Sequence, residues 1–285
     1  MFCIMTFRKI VSFFFLVLAS LAFTACDIIE EPYMTSPGGN GNTGEVVRKV
    51  LLEEFTGHQC PNCPAGAETA DALKEFFGEQ LVIVSIHAGF FARTTAPHFL
   101  ADYRTSAGTE INNYFGVAAN PAGMVNRKEF SGNRILNPSA WGGAISQILE
   151  EEPQAGIEIS LSYETTSRNL NVAINTTALK SLQGPLYLAA LLLEDNILSP
   201  QQTNDSQYTN GIQENYNHRH VLRTDINGTW GEVISENGAE VNEEFPKSYN
   251  ITLDEGWNES TCSVVAYVYS GTNMEIIHVE EKKLY

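Results

Sequence analysis

Basic side chains are scarce in this 285-residue sequence: 17 lysines and arginines stand against 34 aspartates and glutamates, a formal charge of −17. That balance disfavours a surface that follows phosphate backbones, because non-specific nucleic-acid binding rests on positive charge. No nucleic acid is expected as a partner. Long apolar runs are also missing. Residues 10–25 (IVSFFFLVLASLAFTA) carry no charge, yet sixteen residues fall short of the 18 to 20 or so that a spanning helix needs. Cysteines number five, with one close pair, Cys60 and Cys63. No histidine follows that pair directly, which excludes haem attachment, and no second pair exists to complete a four-cysteine zinc site. Charged residues at 18% and hydrophobic ones at 43% describe a soluble globular chain. At roughly 150 residues per domain it has the length of about two domains.

The first 25 residues read as a processing segment. Arg8 and Lys9 precede the uncharged run, as a basic n-region precedes an apolar h-region in an export signal. The run ends in Phe23-Thr24-Ala25-Cys26, which resembles the lipobox of bacterial lipoproteins, and that resemblance implies acylation of Cys26. An ordinary signal peptide with a chance cysteine, and a membrane-spanning anchor, are the alternatives. Cleavage before Cys26 removes Arg8 and Lys9 and takes the charge to −19, so attachment to a membrane would depend on acyl chains rather than on attraction to anionic lipid. Residues 26–45 are rich in glycine and contain Pro32 and Pro37. They read as a flexible tether with a reach of roughly 20 to 25 Å.

A Cys-x-x-Cys pair in an exported chain can be a catalytic dithiol, half of a zinc site or a structural staple. His58, His87, His98, His218 and His220 show no diagnostic ligand spacing, and neither a metal nor a bound cofactor is expected. Residues 46–56 (VVRKVLLEEFT) read as a strand entering Gly57-His58-Gln59 and the cysteines. Ala67, Ala70, Leu73, Phe76 and Phe77 then recur at helical spacing as far as Gly78, and residues 81–87 (LVIVSIH) form an apolar strand. The order strand, CxxC, helix, strand is a βαβ unit. It puts Cys60 at a helix N-cap with Pro61 in the first turn, where free backbone N–H groups favour a thiolate. Cys63 is expected to be the more buried, resolving cysteine, and Pro64 is an oddity.

Here the sequence resembles the thioredoxin-like superfamily. Glu54, six positions before Cys60 and followed by Phe55, matches the place of the family's buried acid. Gln59 replaces the usual tryptophan, and Cys-Pro-Asn-Cys replaces Cys-Gly-Pro-Cys. The resemblance implies a cis-proline opposite the cysteines, and Pro121, between an apolar stretch and a short strand, is the candidate. Phe99 and Tyr103 suggest a helix after Pro97. A helix opening at Asn137-Pro138, with Trp141, Ile145, Ile148 and Leu149 on one face, closes a first domain over residues 46–153.

Beyond Gly156 the period changes to alternation, at Ile157, Ile159, Leu161 and Tyr163 and then at Leu170, Val172 and Ile174. A β-sandwich of about seven strands is expected over residues 154–285. Cys262 reads as a small buried hydrophobe, and His218-Arg219-His220 as a structural feature at the edge of a long loop, residues 195–217. The expected fold class is an α/β thioredoxin-like domain followed by an all-β sandwich. The whole arrangement resembles the twenty-eight-kilodalton outer-membrane protein family of Bacteroidetes lipoproteins. The carrying residues are 54–58 and 60–64, Pro121 with Asn126-Arg127, His220-Val221-Leu222-Arg223 and Trp230-Gly231.

That resemblance implies a lipoprotein of the cell envelope. Two functions follow from the residues. In one, Cys60 attacks a disulfide of an exported client, Cys63 resolves the mixed disulfide, Pro121 presents the client backbone, Glu54 moves a proton, and a partner protein supplies electrons. In the other, the pair is a permanent staple and the β domain binds or adheres.

Overall fold

Every residue of β1 (Val50–Thr56) is buried in the computed structural model, which describes residues 46–285. The expected export segment, Cys26 and the tether lie outside those residues. Side chains alternate along a strand, so β1 sends Leu51, Glu53 and Phe55 to one face and Val50, Leu52, Glu54 and Thr56 to the other. Two acidic residues in so buried a strand demand partners, and each face supplies a different one.

Helix α1 (Cys63–Phe77) returns the chain to β2 (Leu81–His87), which lies parallel to β1 with Thr56 opposite His87. Helix α2 (Ser106–Phe115) starts where the Thr105 side chain accepts a hydrogen bond from the Gly108 N–H, and it stops at the left-handed Gly116. Strand β3 (Ala122–Val125) runs antiparallel to β1, and α3 (Pro138–Leu149) buries Trp141, Ala144, Ile145 and Ile148. The helix expected after Pro97 does not form. Thr95 and Phe99 instead exchange backbone hydrogen bonds of 2.7 and 2.9 Å across a tight turn, and irregular chain buries Phe99 and Tyr103.

The second half adds β4 (Ala155–Glu164), β5 (Asn169–Ala178), β6 (Leu182–Gln183), β7 (Leu186–Glu194), β8 (Ile197–Gln202), β9 (Ile212–His218), β10 (Val221–Asp225), β11 (Glu232–Ser235), β12 (Gly238–Ala239), β13 (Glu244–Thr252), β14 (Cys262–Ser270) and β15 (Ile276–Lys283). These twelve exceed the seven expected, because the added strands are two-residue pairs or polar hairpin arms that leave little periodicity.

One mixed sheet draws strands from both sides of residue 153, in the order β15-β14-β7-β10-β2-β1-β3, with β11 also on β7. A single residue pair, Val221 opposite Ser85, joins β10 to β2, and the Ser85 N–H donates to the His220 carbonyl at 2.8 Å. At that seam the sheet turns on itself. Leu51, Phe55, Val84 and Ile86 from one limb share a core with Leu191, Leu193, Val265 and Tyr267 from the other. The far ends also meet: the Ile276 N–H donates to the Asn126 carbonyl at 2.9 Å, and the Arg48 guanidinium donates to the Ile277 carbonyl.

Inside this curl Arg127 pairs with Glu53 through two hydrogen bonds of 2.8 and 2.6 Å, and both residues are fully buried. Outside it, α1 and α3 cover the β1-β2-β3 limb. A three-stranded sheet, β13-β5-β4, lies against β7 and β14 through Ile157, Val172, Ile174, Leu188 and Val264. The fold is thus mixed α/β, with a mixed central sheet and smaller antiparallel sheets. No helix among the described residues is long and apolar enough to cross a membrane.

Candidate redox site

Cys60 and Cys63 form a disulfide, with Cα atoms 5.3 Å apart, that ties the loop after β1 to the first residue of α1. The loop before them lies on the backbone of residues 91–92: the Gln59 N–H donates to the Phe91 carbonyl at 2.9 Å. A Cβ at Gly57 would stand 2.5 Å from the Phe91 carbonyl carbon, so this approach requires glycine.

The helix begins later than the sequence suggests. Its N-cap is Asn62, and the proline of its first turn is Pro64 rather than Pro61. Pro64 therefore takes the position where a missing N–H costs nothing, which accounts for a residue that is odd in the sequence alone. Cys60 stands before the helix, its carbonyl accepting from the Cys63 N–H at 3.2 Å. Nor is Cys60 the more exposed cysteine, since the two are 1% and 2% accessible.

Glu54 is also buried. Its Oε2 accepts from the Ser85 hydroxyl at 3.1 Å, whereas Oε1 has no hydrogen-bond partner among the described residues. Burial, only partly offset by that bond, pushes its carboxyl up to about 7. Glu54, Cys63, Ser85, His87, Tyr216 and His218 line a cavity of about 20 Å³, enough for a single water. The Asn120–Pro121 peptide bond is cis. Pro121 packs on α1 through Gly66: a Cβ there would lie 2.7 Å from the Pro121 Cβ and 3.5 Å from Glu54 Oε1. Glu54, Pro121 and Cys63 thus gather at the first turns of α1.

Two of the three histidines of this region, His58 and His218, carry no sequence signal that joins them to the site. His58, His87 and His218 are all buried and pack around Tyr103, with ring centroids 5.9, 5.1 and 5.2 Å from it. His58 Nε2–H donates to the Arg93 carbonyl at 2.7 Å. Burial holds all three toward the neutral form: His58 is lowered, His87 lies well below its ordinary range and His218 is brought down to about 4. His87 alone offers a hint, because it ends an apolar strand. Among the described residues no three His, Cys, Asp or Glu side chains are grouped to hold a metal ion. His220 is separate. Its φ of 55° breaks the alternation with His218, and its N–H donates to Asp195 Oδ1 at 2.6 Å. Cys262 is buried, and burial pushes its thiol up to about 12.

The segment expected to be a long loop is the β8–β9 hairpin, and it covers the cysteines. The Gln202 N–H donates to the His58 carbonyl at 2.7 Å and the Asn204 N–H to the Pro61 carbonyl at 3.1 Å. Gln201 Nε2 donates to the Cys60 carbonyl at 2.9 Å and to the Gly57 carbonyl at 3.3 Å. No sequence signal marks Gln201, because a glutamine between a proline and a second glutamine reads as solvated.

The chain belongs to the Omp28 outer membrane protein family, whose profile matches residues 109–285. That span holds Pro121, Arg127 and the hairpin, while Cys60 and Cys63 precede it. Among solved structures, HBP35 of Porphyromonas gingivalis has the same fold, with a TM-score of 0.64 and 20% identity over 85% of this chain and 77% of that one. A protein of Agrobacterium tumefaciens gives 0.48 at 10% identity over 83% and 95%. A domain of the outer membrane lipoprotein Omp28 from Porphyromonas gingivalis gives 0.30 at 20% over 46% and 88%. No curated protein matches the chain. Family membership makes this an outer-membrane protein.

Proposed function

We propose that this outer-membrane protein is lipid-anchored through Cys26 and exchanges disulfides with exported proteins through Cys60 and Cys63, on a thioredoxin-like unit spanning residues 46–153. The observation that carries the reading is the buried Glu54, with its raised carboxyl, lining one cavity with Cys63. Cys63 lines that cavity and Cys60 does not, which supports Cys63 as the resolving thiol and Cys60 as the nucleophile.

In the reduced protein the Cys60 thiolate attacks a client disulfide. A bond forms between Cys60 Sγ and one client sulfur, the client bond breaks, and the other client sulfur leaves as thiolate. Glu54, whose carboxyl burial raises to about 7, accepts the Cys63 thiol proton through the cavity. Cys63 Sγ then attacks Cys60 Sγ and releases the second client sulfur. The client gains two electrons, and the Cys60–Cys63 disulfide must be reduced again by a dithiol partner. Pro121, against α1 beside Glu54, presents the client backbone. A binding or adhesive role with a permanent staple is favoured by one observation, the near-complete burial of both cysteines.

Cys63→Ser is expected to accumulate mixed disulfides with envelope proteins on non-reducing gels, and Cys60→Ser to accumulate none. Equal absence of adducts from both variants would favour the staple. For the anchor, Cys26→Ala is expected to move the protein from the detergent phase to the aqueous phase; unchanged partition would remove the lipid from the proposal.

A further inference from the structure

Thiol–disulfide exchange needs a thiolate to reach one sulfur along the S–S axis, and here both cysteines are buried while the hairpin is bonded to the loop that carries them. The β8–β9 hairpin is a separate two-stranded sheet, bonded to no other strand among the described residues, and such a pair is marginally stable by itself. None of residues 197–218 belongs to any of the three apolar cores. Leu198 is 66% exposed. Apart from His218, which packs on Tyr103 and His87 at the end of β9, polar contacts hold the hairpin: the Tyr103 hydroxyl to Ser199 Oγ at 2.7 Å, His98 to Glu214 at 3.1 Å and Asn204 Nδ2 to Asn62 Oδ1 at 2.6 Å. A unit fastened by few apolar contacts opens at lower cost than the core around it.

Residues 201–204 also lie beside the cysteine loop as a docked peptide would. Backbone N–H groups of Gln202 and Asn204 meet the carbonyls of His58 and Pro61, and the Gln201 side-chain amide holds the carbonyls of Gly57 and Cys60.

We propose that the β8–β9 hairpin is a displaceable lid, whose residues 201–204 occupy the groove beside Cys60–Cys63 in place of an extended stretch of client polypeptide. The proposal rests on the disulfide-exchange reading and adds its partner class: an extended, unfolded segment whose backbone N–H groups replace those of Gln202 and Asn204. A folded client with a recessed disulfide has no such segment and is excluded.

The test uses the full chain, with its disulfide reduced by dithiothreitol and free thiols counted by a maleimide mass tag. In that reaction one reductant thiolate attacks the Cys60–Cys63 bond, the second displaces the mixed disulfide, and cyclic oxidised reductant and a protein dithiol result. Two lid variants are compared with the parent: Gln201→Ala, and replacement of residues 203–211 by two glycines. Both are expected to be reduced at least tenfold faster, while the unfolding free energy of oxidised Gln201→Ala falls by no more than that loss of lid docking, about 1.4 kcal/mol per tenfold. Ile174→Val, in the remote three-stranded sheet, controls for general destabilisation and is expected to leave the rate as it is. A parent-like rate in both lid variants would overturn the lid, as would a parent already reduced as fast as a small-molecule disulfide. Faster reduction with no adducts from Cys63→Ser keeps the lid and rejects exchange; adducts with unchanged reduction do the opposite.

Discussion

Replacing Arg127 by methionine is expected to lower the unfolding free energy by about 3 to 5 kcal/mol, the range found when one partner of a buried ion pair is removed. Arg127 Nε and Nη2 donate to the two oxygens of Glu53 at 2.8 and 2.6 Å, and Nη2 also donates to the Tyr267 hydroxyl at 3.0 Å. The rings of Phe115, Trp230, Tyr267 and Tyr269 lie 5.1 to 5.8 Å from its guanidinium carbon. With methionine in its place, Glu53 is left charged inside the curled sheet without a cation. Removing the carboxylate as well, in a Glu53→Leu/Arg127→Met double variant, is expected to recover a large part of the loss, since an ion pair replaced whole by apolar groups is close to neutral. Urea unfolding of the parent, the single and the double variants measures both effects. A single-variant loss under about 1 kcal/mol would show that solvent reaches Glu53.

The second large effect belongs to Glu54 and depends on pH. Its carboxyl titrates near 7 in the folded protein and near the ordinary 4.5 in the unfolded chain. The folded state therefore holds a proton that the unfolded state has lost between those values. The stability tied to that proton is fully present below about 4.5 and is lost as pH rises through 7. Glu54→Gln keeps a neutral group and is expected to be more stable than the parent by on the order of 3 kcal/mol at pH 8, since a tenfold change in proton affinity is worth about 1.4 kcal/mol. At pH 4 the two proteins should agree. His218 and His278, brought down to about 4 and about 3 by burial, act in the opposite direction. Their contribution is present above about 6.5 and lost as pH falls, but they are common to both proteins and drop out of the difference. A parent-to-variant difference that does not change from pH 4 to pH 8 would sink the assignment. The same variant is expected to slow release of client from the mixed disulfide, because Cys63 loses its proton acceptor.

How much of the molecule is legible in its sequence follows from how local each signal is. β1, α1 and β2 announce themselves through apolar runs and a helical period, and Pro121 stands out as a proline at the entry to a short apolar strand. The start of α1 is ambiguous by two residues, Cys60 or Asn62 as N-cap, because Pro61 and Pro64 both suit a first turn. Helix α2 leaves almost no trace: residues 106–115 (SAGTEINNYF) are poor in strong helix formers, and the helix is set by Thr105 and Gly116 at its ends. Glu53 holds an unused clue, since a carboxylate alternating with Leu51 and Phe55 in a buried strand requires a cation from elsewhere in the chain. The hairpin offers no clue at all. Its strands are polar, and its place over the cysteines depends on contacts between residues such as Gln201 and Gly57, 144 positions apart.

The closure of the central sheet bears on how an exported chain reaches its final state. Arg48 grips the Ile277 carbonyl across 229 positions of sequence, and Lys49 pairs with Glu280 across 231. Contacts this distant form late, because the entropy of closing so long a loop precedes any reward. A chain made from its N-terminus thus cannot lock its sheet until β15 is available. Before that moment Glu53, Arg127 and the inner faces of β1 and β2 lack their cover, so the first strands of the fold depend on the last for their burial.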